Sequence, residues 1–273
     1  MGWAKKGISM SINIRIGALI SGTGTNLKAI LESCRSGKIN ADIVFVGSDN
    51  PEAAGLKMAQ KNQIATFVVD YASVIRNYHQ NRDRAKLPKK FDLVEVLSKQ
   101  SIFPQTEDPE KIKRFIISRV RAEDQLLQKM KQYAFDLLVL AGFMRNLTPY
   151  LIDKINTDPQ CPRIMNIHPA LLPAFPGTDG YGDTFRYGCK VAGSTVHFVD
   201  YGEDSGPIIG QRAFPIQEGD RLEDVRQKGL KLEWDLYSEC IQLFAENRLR
   251  IEKQKYRIAN GKEISRKVVK ILT

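Results

Sequence analysis

Histidine and cysteine are scarce in this 273-residue chain. Only His79, His168 and His197 are present, and Cys34, Cys161, Cys189 and Cys240 lie far apart with no Cys-x-x-Cys pair. No zinc-ligand spacing can be assembled from them, so no metal is expected. Scattered thiols of this kind read as the reduced cysteines of a cytoplasmic protein. No run approaches the roughly 20 apolar residues of a membrane span, and a membrane is therefore not an expected partner. The first ten residues contain no apolar h-region and Lys6 breaks the myristoylation pattern, so neither a leader nor a lipid anchor is expected. Acidic residues are outnumbered: the net charge is +10, of which +6 falls between Lys253 and Thr273. Tyr256 is the sole aromatic residue of that basic tail and no RNA-module signature accompanies it. The tail reads as a solvated end, and nucleic acid is not expected as a partner. A basic body suits phosphorylated and polyglutamylated small molecules.

What is present is an alternation of apolar runs and helical patterns. Strands are expected over 11–20, 41–48, 65–69, 137–141, 164–167, 194–199 and 207–216. Helices are expected over 27–34, 51–62, 74–84, 91–99, 109–133 and 222–247, with another starting at Thr148-Pro149, Thr as N-cap and Pro at N1. The fold class is therefore α/β: a Rossmann-like, mostly parallel sheet flanked by helices. The pattern stalls over 71–136, where helices replace the next strand. This is read as a helical insertion without chemistry, with the apolar core lying outside it.

Two stretches carry chemical content. The first is Asn166-Ile167-His168-Pro169, where an apolar strand stops at a polar pair and three prolines follow within eight residues. Proline cannot donate to a sheet ladder, so the chain must leave the sheet here. Asn166 and His168 are two apart and share a strand face. An amide donor beside an imidazole suits carbonyl chemistry, the ring moving protons while the amide stabilises an oxyanion. A strand-capping histidine and a turn-satisfying asparagine fit the same residues. The second stretch is Val196-His197-Phe198-Val199, followed by Asp204-Ser205-Gly206-Pro207. Asp204 sits in a tight acidic turn from which it could hold an imidazole oriented or protonated. Near the N-terminus, Ser21-Gly22-Thr23-Gly24-Thr25-Asn26 joins a strand to a helix, a natural anion site at a helix N-terminus. It is neither Gly-x-Gly-x-x-Gly nor a Walker A loop, so no dinucleotide or nucleoside triphosphate is indicated.

Taken together, these stretches resemble the phosphoribosylglycinamide formyltransferase family. Its pattern is Asn-Ile-His-Pro-x-Leu-Leu-Pro-x-Phe/Tyr-Pro-Gly, then Val-His-Phe-Val, then Asp-x-Gly-Pro. The match extends to residues 20–27 and to Leu140-Ala141-Gly142-Phe143-Met144-Arg145. The resemblance implies Asn166, His168 and Asp204 as catalytic residues, with His197 secondary beside them. It implies Gly24, Thr25 and Asn26 around the 5′-phosphate of a ribonucleotide, with Thr25 in place of a common Ser, and Glu233 on the ribose hydroxyls. Arg145, Asn146 and Leu147 would line the pterin pocket, largely through backbone groups. The implied partners are glycinamide ribonucleotide and folate, with 10-formyltetrahydrofolate as co-substrate and association into a homodimer left open. Residues 178–184 depart from the family's His-containing stretch, and no site role is assigned to them. The expected layout is a formyltransferase domain over 11–249, interrupted by the insertion within 71–134, and a basic tail over 250–273. The rival readings are a formyltetrahydrofolate deformylase, another folate-dependent formyltransferase, and a non-catalytic RNA-binding protein.

Overall fold

The computed structural model describes residues 13–81, 87–89, 91–259 and 261–273. Residues 11–12 of the expected first strand and 82–84 of the expected third helix lie outside that set. Described strands are β1 (Ile14–Ile20), β2 (Ala41–Ser48), β3 (Ala65–Val68), β4 (Leu137–Leu140), β5 (Ile164–His168), β6 (Val191–Phe198), β7 (Ile208–Pro215), β8 (Leu249–Arg257) and β9 (Glu263–Ile271). The helices are α1 (Thr25–Arg35), α2 (Ala54–Lys61), α3 (Tyr71–Gln80), α4 (Leu93–Lys99), α5 (Pro109–Met130), α6 (Pro149–Ile155), α7 (Gly180–Arg186) and α8 (Leu222–Ala245). Seven strands form one sheet in the order β3-β2-β1-β4-β5-β6-β7. The first five run parallel, whereas β6 and β7 are antiparallel additions at one side.

Both faces of the sheet are buried, which is why β4 is apolar at every position and β1 at every position but Arg15. Along β1 and β4 alternate residues face opposite layers. Ile16, Ala18, Ile20, Leu137 and Val139 join a core with Leu27 and Ile30 of α1 and Tyr237 and Ile241 of α8. Leu19, Leu138 and Leu140 join a second core with Phe45 and with Ala122, Leu126 and Met130 of α5.

That second core corrects one expectation. The 71–136 region is not outside the core, because α5 covers one sheet face and Tyr71 of α3 is fully buried there. Apolar residues at 112, 116, 120, 126 and 130 repeat at near-helical intervals and give α5 an inward stripe. Ile112, Ile116 and Val120 form a satellite core with Val96 of α4 and Tyr150 of α6. The tail also gains structure: β8 and β9 pair as an antiparallel hairpin whose base, at Leu249, Ile251 and Val269, packs on the first core.

Thr148 bears out its expected place, with Pro149 following it at the start of α6. It occupies the N-cap position of α6, but its hydroxyl makes no capping bond and donates instead to Glu123. The Thr148 N–H donates to the other Glu123 oxygen at 2.7 Å. Glu123 is 0% exposed. Burial pushes its carboxyl up from 4.5 to about 8, against the opposing pull of the two Thr148 hydrogen bonds. Between those values the folded chain keeps a proton that the unfolded chain releases, so this group makes stability fall as pH rises from 4.5 to about 8. Glu123→Gln is therefore expected to flatten the decline. Melting temperatures measured across that window test it, and parallel curves for wild type and variant would show that Glu123 does not titrate there.

Candidate active site

The sheet order reverses direction at β1 and β4, the switch point outside whose carboxyl ends open α/β sheets place ligands. The loops leaving these strands are tied together across it. Ser21 N–H donates to Gly142 O at 2.9 Å, and Met144 N–H donates to Ser21 Oγ at 2.8 Å. A cavity of about 520 Å³ opens beside them.

One wall holds the polar pair that ends β5. His168 is 3% exposed, its Nδ1 3.1 Å from Asp204 Oδ2 and its Nε2 2.7 Å from the carbonyl of Phe175. Both partners are acceptors, so a neutral ring satisfies one of them and the imidazolium both. Asp204 Oδ2 also accepts from the Gly177 N–H at 2.9 Å. Burial raises the Asp204 carboxyl, but the neighbouring His197 and His168 rings and the Gly177 N–H outweigh it and hold the group below 3.8. Phe175 and Asp204 have φ of 54° and 48°, a left-handed conformation that non-glycine residues seldom adopt and that concentrates at functional sites.

His197 on β6 lies directly across from Asn166 in the antiparallel pairing. Its Nδ1 lies 3.0 Å from the Phe198 carbonyl and must donate there. In the neutral ring Nε2 is then an acceptor, and it faces Asn166 Nδ2 at 3.2 Å. The second Asn166 N–H points at Asp204 Oδ1 over a loose 3.5 Å. His197 thus sets the orientation of the Asn166 amide and leaves one of its protons weakly engaged.

The opposite wall is built on α1 and α8. Glu233 is 4% exposed, accepting from Asn26 Nδ2 at 3.0 Å and from the Tyr181 hydroxyl at 2.7 Å. Burial raises its carboxyl, with both hydrogen bonds opposing the shift. Asn26 Oδ1 is buried without a partner. Of the expected phosphate-loop residues, Asn26 lines the cavity; Thr25 is exposed at the start of α1, and Gly24 is the buried residue capping it. Gly24 has φ 77°, and a Cβ there would stand 2.9 Å from the Gly55 Cα of α2. Glycine is thus required here by the close approach of α2 and by the backbone conformation.

Arg145, Asn146 and Leu147 all line the cavity. The Arg145 side chain pairs with Asp49 and lies over the Tyr71 ring at 5.8 Å, and Asn146 Nδ2 donates to Glu203 at 3.0 Å. Several lining residues went unassigned in the sequence, Tyr181, Phe115 and Arg119 among them. Tyr181 falls in the 178–184 stretch that was given no role, and α7 delivers its hydroxyl to Glu233 and Ser194. Phe115 and Arg119 come from α5, with the Arg119 guanidinium 4.3 Å over the Phe115 ring. Burial lowers the Arg119 pKa, and the nearby Arg145 charge lowers it further. An arginine at helical spacing within an apolar stripe was the only available signal. Among the described residues no group of three or more His, Cys, Asp or Glu is placed to hold a metal.

The cavity therefore joins a titratable Asn-His-Asp cluster to a buried carboxylate network. A family profile described as formyl transferase matches residues 14–241. A phosphoribosylglycinamide formyltransferase of Bacillus subtilis is 31% identical over 222 residues, 81% of this chain and 90% of the relative. The crystal structure of glycinamide ribonucleotide transformylase 1 from Symbiobacterium toebii superposes with a TM-score of 0.70 at 34% identity, covering 99% of this chain and 100% of that one. A formyltetrahydrofolate deformylase from Pseudomonas putida shares the fold, with a TM-score of 0.64 at 20% identity over 97% of this chain and 72% of its own. With the profile spanning the whole sheet and both walls of the cavity, this chain belongs to the formyl transferase family.

Proposed function

We propose that the protein transfers the formyl group of 10-formyltetrahydrofolate to the amine of glycinamide ribonucleotide, a step of de novo purine biosynthesis. The relatives named for that activity support the reading. The observation that carries it is that the Asn166, His168 and Asp204 cluster opens into the same cavity as the buried Glu233 network. The first suits a reacting formyl group, the second a polar acceptor molecule held by its hydroxyls.

In the reaction the amine attacks the formyl carbon, a C–N bond forms and the carbonyl oxygen becomes an oxyanion. The loosely held Asn166 N–H and the His168 Nε2–H are the donors for that oxygen. Nε2 gives up the Phe175 carbonyl and takes the oxyanion, one acceptor exchanged for another. The new ammonium loses a proton as the folate nitrogen leaves and gains one, and His168 carries it between them. Asp204 keeps the ring oriented by accepting from Nδ1. Asn26 and Glu233 hold the ribonucleotide, with the N-terminus of α1 and residues Gly24 and Thr25 beside its phosphate. The backbone from Arg145 to Leu147 borders the pterin, while the Arg119 and Arg145 guanidiniums suit the carboxylates of the folate's glutamate. Cys34, Cys161, Cys189 and Cys240 are free thiols, which supports the cytoplasm as the compartment. Among the described residues no helix is long and apolar enough to cross a membrane.

Hydrolysis by a deformylase would use the same three polar residues with water as acceptor. The buried Glu233 network favours transfer, since water needs no such support. With the folate labelled at its formyl carbon, label is expected to move rapidly only when the ribonucleotide is added, and to appear on its amine. Equally fast release of labelled formate without the ribonucleotide would overturn the transferase reading in favour of the deformylase.

A further inference from the structure

Arg145 stands between two cavities. It borders the main one and also a smaller one of about 220 Å³, whose walls include Ser21, Asp49, Asn50 and Asp70. Its guanidinium therefore has two directions in which to point. The Nε–H is held by Asp49 Oδ2, and the Tyr71 ring lies to one side with its centroid 5.8 Å away. The four N–H bonds of the two terminal nitrogens have no partner among the described residues.

Asp49 is unusual as a purely structural ion-pair partner. Its side chain is 1% exposed while that of Arg145 is 31% exposed, and Asp49 Oδ1 is buried with no hydrogen bond at all. A buried carboxylate with one oxygen unmatched is a poor source of stability, because desolvation offsets most of the attraction. What the contact does provide is direction. Fixing Nε fixes the plane of the guanidinium, and with it the edge formed by the terminal nitrogens.

We propose that Asp49 is a positioning residue that turns the terminal N–H groups of Arg145 toward the main cavity, where they meet a carboxylate of the folate's glutamate. The inference rests on the proposed formyl-transfer reading for the identity of that ligand. Without Asp49 the side chain is free to swing into the smaller cavity, where Asp70 is a competing acceptor. Tyr71, held in the second core, closes the remaining side, and its buried hydroxyl has no partner either.

The test is calorimetric binding of tetrahydrofolate and of tetrahydropteroate, which lacks the glutamate, to wild type, Asp49→Ala and Asp49→Asn. Asp49→Asn is nearly isosteric, with its carbonyl on the Arg145 Nε–H and its amide in the unmatched position, so it remains interpretable should the alanine variant fail to fold. Asp49→Ala is expected to weaken tetrahydrofolate binding roughly tenfold and Asp49→Asn by less, the loss typical of one charge-assisted hydrogen bond. Tetrahydropteroate is expected to bind all three proteins equally. Equal weakening of both ligands, or no weakening of either, would overturn the positioning role. A wild-type protein that binds tetrahydrofolate but transfers no formyl group would count against the transferase reading and not against Asp49. A wild type that binds neither ligand would overturn both.

Discussion

Asp204→Asn is expected to lower turnover by on the order of a hundredfold, the usual contribution of a group that sustains general acid–base and oxyanion catalysis. The substitution isolates charge from shape. Asp204 has φ 48°, and asparagine is among the few residues that tolerate this conformation, so the turn is retained. What changes is the partner seen by His168 Nδ1 at 3.1 Å: a neutral amide no longer favours a ring that donates from both nitrogens. Asp204→Ala adds backbone strain to the same loss and is the less informative variant. His168→Ala should cost at least as much, since the ring itself is removed. Stability gives an independent readout. The Asp204 carboxyl is held below 3.8, so its contribution is fully present above that value and is lost as the pH falls through the lower folded value. The difference in melting temperature between wild type and Asp204→Asn should accordingly shrink as the solution is acidified below pH 3.8. Turnover of Asp204→Asn within a few-fold of wild type would remove the carboxylate from the mechanism.

The sheet was legible in the sequence because its strands are continuous apolar runs punctuated by Gly, Pro and polar caps. Ala41–Ser48 was read to the residue and the other strands of the seven-stranded sheet to within one position over the described residues, except β6, which starts three residues before its expected bound; β8 and β9 were not expected. Asn166 and His168 stood out because a polar pair interrupts such a run. The part played by α5 was not legible. Its inward stripe was visible as periodicity, but periodicity does not say which sheet face a helix covers, and two helices, α3 and α4, separate it from β3. Tyr181 was missed for a related reason: its meaning depends on Glu233, 52 positions away, and only the packing of α7 against α8 brings the two together. Thr148 was legible as the N-cap of α6 but not as a partner of Glu123, because capping is a local rule and Glu123 a nonlocal competitor for the hydroxyl. His197 required the register of β5 and β6, since a histidine on an apolar strand looks structural until its ring is seen facing Asn166.

Glu233→Ala is expected to raise the KM for glycinamide ribonucleotide by about a hundredfold, leaving folate affinity near wild type. The carboxylate is proposed to accept from the ribose hydroxyls, and a hydrogen bond to a charged group contributes about 1.5–3 kcal/mol. Its loss also takes a partner from two neighbours. Asn26 Nδ2 would lose its acceptor in a buried site where Asn26 Oδ1 already lacks a partner, and the Tyr181 hydroxyl would keep only Ser194 Oγ. Tyr181 cannot easily move, because its ring lies against Gly229 so closely that a Cβ there would sit 2.1 Å from it. Stability should therefore fall together with binding. Glu233→Gln separates the two effects. The amide oxygen can accept from Asn26 while its N–H₂ donates to the Tyr181 oxygen, whose own proton turns to Ser194 Oγ at 2.7 Å. The network survives without its charge, so this variant should melt near wild type yet bind the ribonucleotide about tenfold more weakly. Titrating each variant with ribonucleotide and with folate distinguishes the possibilities. Wild-type ribonucleotide affinity in a stable Glu233→Gln variant would mean that the carboxylate only organises Asn26 and Tyr181. Equal losses for both ligands would mean that the two walls of the cavity do not divide the substrates between them.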